Sequence, residues 1–121
     1  MALPPNAVKL GLAGVQMDPA SLLEWPIKFG GALEENELVV SYTLTMSAEA
    51  AALGLEIATG GHAPTWDGTD LIVWFQVDPL MQADAAFDGQ GVSLPMTLWF
   101  RTDQTPYRER ELTLYLEVAQ Q

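Results

Sequence analysis

Arg110-Glu111-Leu112-Thr113-Leu114-Tyr115-Leu116-Glu117-Val118 alternates apolar and polar residues with a period of two. Successive side chains leave a β-strand on opposite sides, so Leu112, Leu114, Leu116 and Val118 share one face while Glu111, Thr113, Tyr115 and Glu117 share the other. This is the pattern of an antiparallel sheet with one wet face.

The same reading extends back along the chain. Residues 23–29 place Leu23, Trp25, Ile27 and Phe29 inward, and Pro26, which cannot donate to a ladder, marks an edge strand or a bulge. Residues 37–46 put Leu38, Val40, Tyr42 and Leu44 on one face and Ser41, Thr43 and Thr45 on the other, as expected of a central strand. Residues 48–53 carry a short helix, with Ser47 as N-cap and Gly54 as the stop, and residues 55–58 resume a strand. Residues 71–77 are apolar on both faces, Leu71, Val73, Phe75 and Val77 against Ile72 and Trp74, so a second layer or a partner covers the outer side. Residues 92–101 bury Val92, Leu94, Met96, Leu98 and Phe100 and turn Trp99 outward, with Pro95 marking an edge or bulge. Residues 79–91 are too long for a tight hairpin and have room for a short helix.

Short strands separated by Gly, Pro and Asp turns predict an all-β fold, an immunoglobulin-like antiparallel sandwich, with a jelly roll or small barrel as the alternative. A chain of 121 residues is enough for one domain with its own core. Residues 1–20, with Pro4, Pro5, Gly11, Gly14 and Pro19, read as an extended N-terminal arm on a sandwich spanning 21–121. Such an arm docks on its own domain or on a neighbouring subunit. In the second case Leu3, Pro4, Pro5, Leu10 and Leu12 are the candidate anchors.

The chain has no cysteine, which removes disulfides and thiolate chemistry from consideration. Sixteen acidic against five basic residues give a formal charge of −11, a surface that repels nucleic acid and anionic lipid and favours a basic or neutral partner. No stretch has the roughly 18 uninterrupted apolar residues of a membrane span, and the first residues lack the charged start of a secretory signal.

Catalytic patterns are thin. The single histidine, His62, lies in Gly60-Gly61-His62-Ala63-Pro64 away from any nucleophile motif. Asp67-Gly68-Thr69-Asp70 and Asp84-Ala85-Ala86-Phe87-Asp88 carry oxygen ligands without the spacing of a calcium loop, and turn formation accounts for them. No glycine-rich phosphate cradle follows a strand. These readings predict a chain that is not an enzyme and needs no cofactor or metal. Trp74, Trp99 and Tyr115 fall on faces with polar or mixed neighbours, which makes them candidate partner-binding residues. A register slip of one residue would instead turn them inward.

Residues 18–118 resemble the fibre–tail adaptor family of small tailed-phage virion proteins. The resemblance rests on Asp18-Pro19-Ala20-Ser21-Leu22-Leu23-Glu24-Trp25-Pro26-Ile27-Lys28-Phe29 and on Leu33-Glu34-Glu35-Asn36-Glu37-Leu38-Val39-Val40-Ser41. It continues through Ile72-Val73-Trp74-Phe75, Thr102-Asp103 and Arg108-Glu109-Arg110-Glu111-Leu112-Thr113-Leu114. It implies a non-enzymatic structural protein, assembled in the host cytoplasm into the virion, that joins tail, fibre or neck components through protein–protein contacts. Homo-oligomers within the particle, and no nucleic acid or membrane, are the partners expected. A capsid decoration or cement protein is the nearest alternative. A carbohydrate-binding module using Trp66, Trp74 or Trp99 is the alternative from a different class.

Overall fold

The computed structural model describes residues 7–11, 15–28, 33, 36–66 and 70–120. Its strands are β1 (Val8–Lys9), β2 (Leu23–Lys28), β3 (Val39–Met46), β4 (Leu55–Ile57), β5 (Thr65–Trp66), β6 (Asp70–Val77), β7 (Val92–Thr102) and β8 (Glu109–Val118). A single helical turn and a half, α1 (Ala48–Ala52), follows β3.

The strands form two sheets, one ordered β1-β8-β7-β3 and the other β2-β6-β4, with β5 also paired to β6. They stay separate rather than closing into a barrel, and grouping β3, β7 and β8 against β2, β6 and β4 is the strand partition of an immunoglobulin-like sandwich. Among the described residues the named strands pair antiparallel except β1 with β8, and the Met17–Val118 bridge beyond β1 is parallel as well. The core lies between the sheets. Leu71, Val73, Phe75 and Val77 of β6 face Leu94, Met96, Leu98 and Phe100 of β7 and Leu114, Leu116 and Val118 of β8, all buried. The alternation that opened the sequence reading is thus the alternation of the fold.

Three expectations are corrected. Among the described residues β3 is an edge strand and not a central one, because its only strand partner there is β7. Its inward set also changes register: a bulge between Val39 and Ser41 leaves Val40 without a partner. An extra residue reverses the alternation beyond it, so Val39 is buried while Leu38 and Val40 are exposed, and Tyr42, Leu44 and Met46 then pack against the core. Pro95 marks neither an edge nor a bulge, since the β7–β8 register runs through it without a break. Its carbonyl accepts the Ser47 N–H at 3.2 Å. The missing N–H of Pro95 therefore points to the side where β3 has already turned away into α1, and costs no ladder bond.

Turn chemistry follows the sequence closely. The Ser47 hydroxyl accepts the Ala50 N–H at 3.1 Å, and Gly54 ends the turn after α1 at φ +84°. The segment between β6 and β7 forms a 3-10 turn at Ala85–Phe87, whose Phe87 ring is fully buried. Expected strand residue Phe29 lies outside the described residues.

Candidate functional site

Trp74, Trp99 and Tyr115, singled out in the sequence, each lie half-buried on an outer sheet face, among neighbours from their own chain. Trp74 is half-buried on the outer face of β6, and the His62 ring packs edge-on against it with centroids 4.7 Å apart. The cause is local. β4 and β5 pair with the same edge of β6, at Val77 to Phe75 and at Ile72 to Leu71, and residues 59–64 bulge out between them as a short loop. Its Gly60–His62 turn delivers the imidazole to the tryptophan. Part of the outer layer predicted for β6 is therefore the chain's own histidine loop.

Trp99 and Tyr115 are half-buried on the outer face of the other sheet. Trp99 sits between Thr43 and Glu111, and Tyr115 between Pro95 and Lys9. The Arg101 guanidinium lies 5.8 Å from the Trp99 ring and 4.6 Å from Tyr107, and Glu109 holds it with bonds of 2.9 and 3.3 Å. Leu10 is only 3% exposed and belongs to the core, as does Met17. Leu10 N–H and Met17 N–H donate to the Tyr115 and Glu117 carbonyls at 2.8 Å, so the N-terminal segment runs along β8 and closes that edge of its own domain. Leu3, Pro4, Pro5 and Leu12 lie outside the described residues.

Asp84 and Asp78 act as turn formers, whereas Asp70 lies in β6 opposite Lys28. Asp84 accepts the Ala86 N–H at 2.9 Å and Asp78 the Leu80 N–H at 3.0 Å. Among the described residues no three His, Asp or Glu side chains converge as a metal site. Of the cavities, one of about 480 Å³ is polar and lined by Gln16, Gly89, Gln90, Gly91 and Glu117. A smaller apolar cleft of about 290 Å³ opens between β1 and β2, lined by Val8, Leu10, Pro26, Ile27, Leu112 and Leu114.

What distinguishes the surface is its sheet edges. Unpaired strand edges invite pairing with other chains, and proteins blunt them with proline, charge, bulges or very short strands. The β2 edge carries Pro26 and Glu24, and the β4–β5 edge consists of two short strands broken by the histidine loop. β8 is covered by β1 and by Met17. β3 has eight residues with neither charge nor proline, its bulge lies at one end, and no described strand pairs with its outer side.

That edge is held in place at its start. The Glu37 side chain is fully buried and accepts two bonds from Arg108. Leu38 exchanges backbone and side-chain bonds with Asp103, each 3.0 Å. Trp66 then closes the first step of the edge. Its Nε1–H donates to the Val39 carbonyl at 3.2 Å, and its ring meets Tyr42 edge-on at 5.2 Å. Burial beside the indole raises the Tyr42 pKa above its ordinary value of 10.0. Trp66, Leu38 and Val40 remain 43%, 43% and 48% exposed, an apolar group at the head of an open strand.

Comparison with protein-family models, with curated proteins and with solved structures gave no match.

Proposed function

We propose that this chain is a non-enzymatic structural protein of a tailed-phage virion, an adaptor that joins tail, fibre or neck components through protein–protein contacts. The observation that carries the reading is the β3 edge, long, uncharged and open among the described residues, beside the exposed Leu38, Val40 and Trp66. Other edges carry blunting devices, and a strand kept open in this way is suited to receiving another chain. The acidic surface supports a protein partner of neutral or basic character over nucleic acid. The resemblance of residues 18–118 to fibre–tail adaptors supplies the setting. Quantitative mass spectrometry of purified particles tests it: about a dozen copies per particle fits an adaptor, given the symmetric rings of such assemblies. Hundreds of copies would replace it with a capsid decoration protein, and absence from particles would overturn both.

A further inference from the structure

We infer that β3 is the acceptor for a strand of a basic partner, about six residues long, in which apolar side chains alternate with lysine or arginine. The inference rests on the adaptor reading and specifies its contact. Trp66 occupies the edge at Val39, which among the described residues leaves Ser41 to Met46 open, about 20 Å of strand at ordinary rise. An added strand places alternate side chains on the two faces of the sheet. On the inner side it meets Tyr42, Leu44 and Met46, which pack on the core yet stay only partly buried. Small apolar residues complete their cover. On the outer side it meets the hydroxyls of Ser41, Thr43 and Thr45 and faces water.

Charge selects the partner. Between Lys28 and Arg101 the sequence has no lysine or arginine. Asp103 stands beside Leu38 at one end of the edge, and Glu49 lies in the first turn of α1 at the other. Arg101, opposite Ser41 in β7, is occupied by Glu109. A second copy of the chain brings another −11 charges to the same place, whereas a basic segment gains from the field in both approach and binding.

The test uses the full chain, labelled with ¹⁵N, and three capped hexapeptides. One alternates valine and lysine, one alternates valine and glutamate, and one is the lysine peptide N-methylated at every residue. The lysine peptide should shift the amides of Ser41 to Met46 and the Trp66 indole N–H. The glutamate and N-methylated peptides should bind at least tenfold more weakly, the first for charge and the second for lost ladder bonds. Thr45→Lys, with circular dichroism unchanged, should also weaken the lysine peptide at least threefold. The inference is overturned by equal binding of the three peptides, by no binding, by shifts centred on Trp99, or by self-association of the chain through β3. Presence in particles without peptide binding would remove this inference and leave the adaptor reading standing.

Discussion

The Glu37 carboxylate, with no exposed surface, is held by Arg108 across the molecule, Arg108 Nε donating to Glu37 Oε2 at 3.0 Å. Seventy-one positions separate the two in sequence, so the bond ties the chain entering β3 to the turn that joins β7 and β8. Arg108 N–H also donates to the Thr102 hydroxyl at 3.0 Å, which fixes the residue on its own hairpin.

Glu37→Gln should lower unfolding free energy by about 3 kcal/mol, the low end for breaking a buried pair because Arg108 retains contact with water. Urea unfolding measures it. Glu109→Gln serves as the comparison: its partner Arg101 and Glu109 itself are 42% and 43% exposed, and loss of that pair should cost about 0–1 kcal/mol.

Gly11 takes φ +80°, and a Cβ there would fall 2.5 Å from Cζ3 of the Trp25 ring. Gly11→Ala should cost about 1–3 kcal/mol through backbone strain and overpacking. Gly60→Ala separates the two causes. Gly60 has φ +65° with open space around it, so its variant should cost only the strain, about 1 kcal/mol. Similar losses at both sites in thermal melts would show that the Trp25 contact yields easily.

Tyr42 gives the fold an alkaline limit. Its hydroxyl keeps its proton to higher pH when folded than when unfolded, so the folded state binds more protons as pH passes 10. Stability should be level with respect to this group below pH 10 and fall as pH rises through the folded value. Tyr42→Phe should flatten that fall. Absorbance titration of the tyrosines, folded against urea-unfolded, detects the late-titrating group.

Removing the imidazole from Trp74 should uncover the ring without unfolding the sheet. His62→Ala is expected to cost about 0.5–1.5 kcal/mol, the worth of an aromatic pair. Trp74 emission should shift to longer wavelength. Measured in a chain where the other three tryptophans are phenylalanine, an unchanged spectrum would mean the histidine loop does not shield the ring.

Much of the fold was legible because period-two alternation is a direct image of the pleat. The inward sets of β6, β7 and β8 were readable residue by residue, as was the Ser47 cap. The place of β3 in its sheet was not, since strand order depends on pairings far apart in sequence. Nor was the Val40 bulge, because Leu38-Val39-Val40 is apolar throughout and alternation cannot say which member faces in. The missing charges and prolines of residues 39–46 were visible all along, but they acquire meaning only once that strand is known to be an edge. Trp74 drew attention for its place on a two-sided apolar strand, and the loop that covers it could not be anticipated from Gly60-Gly61-His62.

The parallel pairing of β1 with β8 carries a mechanical consequence. β1 lies near the N-terminus and β8 near the C-terminus, side by side and pointing the same way. Tension applied between the two ends of the chain would slide these strands along each other. The bonds from Leu10 to Tyr115, Met17 to Glu117 and Ala119 to Met17 would then share the load at once, where a hairpin would open one rung at a time.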